Sequence, residues 1–342
     1  MSENIFYRGV IEDNNDPEKL GRLRVRIFGL HSDDVSLLPT ENLPWCEVAH
    51  SLEGGFISGV GKSFVPQNGT FVWCFLECGN EEKPVIFASC PGISKEKETG
   101  AFTDPSGKYP LDDRLGESDF NRLARGEKTS ETPSEKLLSE NLVTGVALAT
   151  GDAWDEPSST SSQAQYPFNN VTETASGHII QIDDTEGNER IQIFHKTGAY
   201  IELKPDGNIV LKSSNDFYEI AKGNFKQSVA LKSDITINAD KSELIGGNFN
   251  YTIGKTETKV INESYDLTIA ETSSTCIGKS CLIASGEKFT LNAPTSILES
   301  DNSISLKSAS ISGEGDTISL KGSSITGEAS SITLKGSIIN LN

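Results

Sequence analysis

Over the first 90 residues, apolar and polar side chains alternate in short runs separated by turn-forming residues. Phe6 to Ile11 is the first run. In the second, Gly21 to Phe28 (GRLRVRIF), Leu23, Val25 and Ile27 alternate with Arg22, Arg24 and Arg26, which predicts a strand with one dry face and one basic face. Asn14, Asn15, Asp16 and Pro17 supply the turn between them. Trp45–Val48, Gly69–Glu77 and Pro84–Ser89 follow, the last two joined by a Gly-Asn turn. Five short strands of this kind predict a closed barrel of the oligonucleotide/oligosaccharide-binding (OB) type.

The far end of the chain has a longer period. From Ile304 the last 39 residues repeat every fourteen, as ISLKSASISGEGDT, ISLKGSSITGEASS and ITLKGSIINLN. Isoleucine recurs every seven residues at Ile304, Ile311, Ile318, Ile325, Ile332 and Ile339, and Leu306, Leu320 and Leu334 follow alternate ones, each trailed by a lysine. A seven-residue apolar period also suits a coiled coil, but Ser, Gly, Thr and β-branched Ile oppose a helix, each Gly by about 1 kcal/mol. Ile-x-Leu is period-two spacing, which puts both side chains on one face of a strand. Seven extended residues span roughly 23 Å, one wall of a solenoid. Three chains, each giving a wall, would close an intertwined β-helix with Ile and Leu on the axis; three walls from one chain are the alternative. Residues 200–290 carry the same architecture less regularly, with Phe217, Tyr218, Phe225, Phe249, Tyr251 and Tyr265 widening it. At ~4.8 Å per wall, residues 200–342 would form a shaft on the order of 100 Å long.

Between these ends, residues 94–167 are rich in Pro, Gly, Ser and charge, with one short helix expected over Ser134–Asn141. The all-β plan is therefore a barrel over 1–93, an extended linker over 94–167 and a β-helix over 168–342. In the last stretch, Asp183–Arg190 and Lys204–Asn208 read as turns between strands.

Composition narrows the function. The net charge is −19, which argues against a nucleic-acid partner. No basic-then-apolar leader and no run of eighteen apolar residues is present, so neither Sec export nor a membrane anchor is expected. Six cysteines include no CxxC pair; Cys74, Cys78 and Cys90 read as free thiols rather than a zinc site. His178 and His195 are expected to serve structural hydrogen bonds, so no metal and no cofactor is assigned.

Two stretches carry a resemblance. GRLRVRIFGLH (Gly21 to His31), with GTFVWCFLECGNEEKPVIFA (Gly69 to Ala88), resembles the N-terminal barrel of the central-spike proteins of contractile phage tails, the T-even tail-lysozyme type. Glu173 to Ser213 looks like the opening of the spike's β-helix in those proteins and in VgrG proteins of type VI secretion. With DFNRLARGE (Asp119 to Glu127), the resemblance touches about nine-tenths of the chain.

The resemblance implies a homotrimeric, membrane-puncturing spike in the virion's tail baseplate, assembled in the host cytoplasm. Its barrel would sit on the baseplate hub protein, and its needle would meet the host outer membrane. The T-even member carries a lysozyme domain where this chain has only residues 94–167, so no enzyme is expected. Glu117, Asp119, Glu127 and Glu131 lack the cleft that a glycosidase pair needs. The linker is expected to drape over neighbouring subunits, anchored by DFNRLARGE, Trp154 and Tyr166–Phe168. Arg22, Arg24 and Arg26 are candidate contacts with hub or linker. Ile338, Ile339 and Leu341 of three chains would leave a blunt apolar end for a PAAR-type tip protein. A type VI or extracellular injection-system spike, or a trimeric receptor-binding fibre, are the alternatives.

Overall fold

A computed structural model describes residues 5–55, 57–93, 111–126, 132–159 and 163–305. The chain forms two compact units, Met1–Gly246 and Gly247–Asn342. The first unit opens with strands β1 (Phe6–Asp13), β2 (Leu23–Ile27), β3 (Trp45–Val48), β4 (Phe71–Leu76) and β5 (Pro84–Ser89). They close into a barrel in the order β1-β2-β3-β5-β4, all pairs antiparallel except β3 with β5.

The predicted dry face fills this barrel. Leu23, Val25 and Ile27 meet Ile11, Cys46, Val72, Cys74 and Ile86, all essentially solvent-free. Each fully buried aliphatic side chain contributes about 1.5–3 kcal/mol. β1 and β2 approach so closely that a Cβ on Gly9 would lie 2.5 Å from Val25 Cγ1 and 2.8 Å from the Arg26 carbonyl oxygen. Only glycine fits there.

Residues 111–165 do not form a globular domain among the described residues. They contain helix α1 (Pro133–Glu140) and a small hairpin of β6 (Val146–Ala147) and β7 (Ala153–Trp154). Leu123, Leu138, Glu156 and Ser159 of this segment contact the sheet that follows.

That sheet is a five-stranded antiparallel meander of β8 (Asn169–Glu173), β9 (Ile179–Asp183), β10 (Arg190–Phe194), β11 (Tyr200–Leu203) and β12 (Ile209–Lys212). Each connection is a tight turn with glycine at positive φ, at Gly177, Gly187, Gly198 and Gly207, a conformation that side chains with a Cβ avoid. The β-pairing here is within one chain, unlike the interlocked pairing expected from residue 168 onward.

Beyond β12 the chain changes character. Bends fall at 214–215, 222–223, 230–231 and 238–239 in the first unit, and at 246–247 where it ends. In the second they fall at 254–255, 262–263, 270–271, 278–279, 286–287, 294 and 301–302. The spacing is eight residues up to position 294 and seven from there to 301, so the seven-residue wall expected across residues 200–290 is corrected to eight. Every described residue from 214 to 305 is exposed, and these residues make no backbone–backbone hydrogen bond to any described residue. The fourteen-residue repeats, Ile304 and Ser305 apart, lie outside the described residues.

Candidate functional site

The meander has two faces, and its sequence pattern is inverted relative to solvent. Cross-strand register aligns Ile180, Ile193, Ile201 and Leu211 in one row and Ile182, Ile191, Leu203 and Ile209 in a second. Alternate residues of a strand share a face, so both rows lie on the same side. All eight side chains are exposed, from 39% at Ile201 to 69% at Ile209. A contiguous apolar face of this kind marks an interaction surface.

The opposite face carries Gln181, Asp183, Arg190, Gln192 and Glu202, all buried. It is covered by the linker of the same chain. Leu123 and Leu138 pack on Ile179, Phe194 and Tyr200. Asn169 Nδ2 donates to the Leu123 carbonyl and to Gln181 Oε1, each at 3.0 Å. Gln181 donates to Gln192, Gln192 to Ser159 Oγ, and Ser159 to Glu202, each at 3.2 Å. Arg190 donates to Gln181 Oε1 at 2.6 Å and lies 3.6 Å from Asp183 and 3.9 Å from Glu202. Burial lowers its pKa, and the two carboxylates oppose that shift. A buried polar network of this depth fixes one register of linker on sheet.

A second attachment sits at the sheet edge. Glu156 accepts from Tyr200 OH and from Lys212 Nζ, each at 2.7 Å. Burial pushes the Glu156 carboxyl up, but the Lys212, Val143 and Tyr200 hydrogen bonds outweigh it and hold the pKa below the ordinary value. Burial and the same carboxylate raise Tyr200 above the ordinary phenol range. The linker is thus a strap on its own sheet. Expected anchors behave unequally: Leu123 and Ala124 of DFNRLARGE are buried, whereas Trp154, Tyr166 and Phe168 stay about half exposed.

His178 and His195 end the apolar face as cross-strand neighbours, their rings 4.4 Å apart. His195 Nδ1 accepts from the Thr197 amide at 3.3 Å and pairs with Thr197 Oγ1 at 2.8 Å, which leaves the neutral ring's proton on Nε2. Among the described residues no group of three His, Cys, Asp or Glu side chains converges as a metal site. Cys74 lies in the barrel core and Cys78 in solvent. Burial pushes the Cys74 thiol up to about 11 and the Cys46 thiol up to about 12.

The basic face expected on β2 is corrected by the barrel. Arg26 is fully buried: the loop after β2 folds over it, so it donates to the carbonyl oxygens of Ser32 and Leu38 and faces Glu12. Arg22 is held by Asp16 at 2.8 Å and Arg24 stacks 4.6 Å from the Trp45 ring. Only these two reach the surface. Glu117 pairs with Arg122 and Arg125, and these guanidiniums, Arg122 foremost, lower its carboxyl to about 2. That is an ionised carboxylate, the opposite of a poised general acid. Asp119 accepts the Gly92 amide at 2.8 Å. Glu127, Glu131, Ile338, Ile339 and Leu341 lie outside the described residues.

A closed barrel, a linker strap and a meander with one open apolar face define the class: an all-β protein with an OB-type barrel. The Gp5 N-terminal OB domain family matches residues 29–170. Protein Gp5 of Vibrio phage KVP40 is 36% identical over 265 residues, which is 68% of this chain and 62% of that protein. The pre-baseplate central spike protein Gp5 of Enterobacteria phage T4 is 36% identical over 156 residues, 43% of this chain and 27% of that protein. These matches support a T4-like baseplate central-spike protein. The chain spans less than two thirds of the length of either relative.

Proposed function

We propose that the chain is a non-enzymatic, structural central spike of a contractile tail baseplate, acting as a homotrimer that pierces the host envelope when the sheath contracts. The open apolar face of the meander carries this reading. Eight Ile and Leu side chains are exposed in the single chain, and three copies packing these faces around one axis would remove them from water. Closure also answers the condition of residues 214–305, whose backbone makes no pairing with the other described residues. Strands from three chains would pair with one another, leaving no open edge.

In this assembly, residues 1–93 seat on the hub protein, 94–167 brace the joint and 168–342 form the shaft. Arg22 and Arg24 stay candidates for hub contact, and Ile338, Ile339 and Leu341 for a PAAR-type tip protein. Sheath contraction supplies the work; the shaft transmits it. The linker's use as a strap over the polar face supports a mechanical rather than a hydrolytic role for that interval. Density for this chain on the tail axis beneath the tube in cryo-electron micrographs of virions, with no glycan release by the purified chain, is the expected result. Density elsewhere in the virion, or peptidoglycan cleavage, contradicts it.

A further inference from the structure

Residues 214–305 raise a problem of alignment. Ile237, Ile245, Ile253, Ile261, Ile269 and Ile277 stand eight residues apart, one before each bend. They are among the less exposed apolar residues of this stretch, from 39% at Ile253 to 49% at Ile277, whereas Leu231, Leu244 and Leu282 reach 90% or more. Contacts between residues two apart show that alternate positions share a side. Lys241 Nζ lies 3.0 Å from Glu243 in the first unit, and the Phe249 and Tyr251 rings stack at 6.0 Å in the second. Within each unit the isoleucine of a repeat and the pair two and four residues before it share one side, the side that would face inward in a closed shaft.

A column of identical isoleucines cannot tell one register from the next. Sliding one chain by eight residues sets isoleucine on isoleucine and bend on bend. The positions between them are not identical. Lys241 and Glu243 form one inward pair; the next repeat offers Phe249 and Tyr251; the one after offers Glu257 and Lys259, with Lys259 Nζ 3.8 Å from the centre of the Tyr265 ring. In register, each charged layer of three chains is neutral and each aromatic layer meets its like. A slip of one repeat in either direction sets these charged pairs level with the aromatic layer, so each keeps only its partner within its own chain and loses those of the other copies, which is unfavourable away from water.

We infer that Lys241, Glu243, Glu257 and Lys259 are the register-determining residues of the contact between copies of this chain, ionic layers that fix which repeat of one copy meets which repeat of the next. This rests on the trimeric reading above. The layers trade stability for specificity, as single polar residues do in the seams of coiled coils.

The test uses the full chain with one nitroxide at Ser264→Cys, in a background where Cys78, Cys90, Cys276 and Cys281 are serine. Distances between labels are read by pulsed electron spin resonance. The parent is expected to give a single distance. The variant Lys241→Ile, Glu243→Ile, Glu257→Ile, Lys259→Ile is expected to remain trimeric, resist denaturant as well or better, and add a second, longer distance. Exchanging the charges within one layer, Lys241→Glu with Glu243→Lys, is expected to keep the single distance. A single distance in the four-isoleucine variant overturns the proposal. Should that variant give no trimer, Lys241→Glu alone decides: an added distance or a lower denaturation midpoint supports the layers, and an unchanged trimer overturns them. A monomeric mass for the parent sinks the trimeric reading instead.

Discussion

Arg26 and Glu12 form a two-pronged ion pair with both side chains fully buried, Nε to Oε1 at 2.6 Å and Nη2 to Oε2 at 2.9 Å. Glu12 reaches this position because β1 is bulged: Ile11 pairs with Val25 and Asp13 with Arg24, which turns the extra residue toward Arg26. Thr40 Oγ1 donates to the same carboxylate at 2.8 Å, so the pair pins the loop after β2 to the barrel.

Removing one partner strands the other charge. Arg26→Ala is expected to destabilise the barrel by about 3–5 kcal/mol, and the apolar double variant Glu12→Leu, Arg26→Met by distinctly less. Denaturant unfolding followed by tryptophan fluorescence checks this. A double variant as unstable as the single would show that loop packing, not charge burial, is at stake.

His31 adds a pH dependence to the same loop. Its Nδ1 accepts the Ile27 amide at 3.0 Å, and burial, then the Arg26 charge, lower its pKa from 6.5. The neutral form belongs to the folded barrel, so this stabilisation is full above the unfolded value and is lost as pH falls through the lowered one. The denaturation midpoint of the barrel is expected to drop between pH 7 and 5, and His31→Gln to flatten that drop.

The strap is expected to hold until strong acid. Glu117 has its pKa lowered to about 2 by Arg122 first, and Glu156 is lowered by Lys212 against the effect of burial. A lowered carboxylate contributes above its unfolded value near 4.5 and loses that contribution as pH falls through the folded one. Hydrogen exchange of β9–β11, corrected for intrinsic rates, should stay slow at pH 5 and quicken toward pH 2. Glu156→Gln should quicken it at neutral pH.

The apolar rows are expected to hold copies together. Ile193→Asp with Ile180→Asp places a charge pair in the centre of the face on β9 and β10, and is expected to shift the protein from trimer to monomer while leaving the barrel's fluorescence unchanged. Retention of the trimer would move the contact elsewhere.

The strands and their turns were largely legible in the sequence, because alternation and Gly-bearing turns are local. Trp45–Val48, Pro84–Ser89, Tyr200–Leu203 and Ile209–Lys212 fall where the pattern sets them. Which face of the meander meets water was not legible. Alternation predicts polar residues outward, but Gln181, Arg190, Gln192 and Glu202 are buried by a strap about 20 to 70 residues earlier in the chain, a tertiary event that periodicity does not encode. Arg26 misled for the same reason, since a loop covers it. The eight-residue isoleucine column from Ile237 to Ile277 was present in the sequence, but it was masked by the varied aromatic and charged residues between its members. That variety is the feature on which register now turns.

The most direct test of the central claim is the solution mass of the purified full chain by sedimentation equilibrium. Three copies of a 36.9 kDa chain should give about 111 kDa, in a form that survives detergent until boiled. A species of 36.9 kDa at micromolar concentration would contradict a three-chain shaft and, with it, the piercing role.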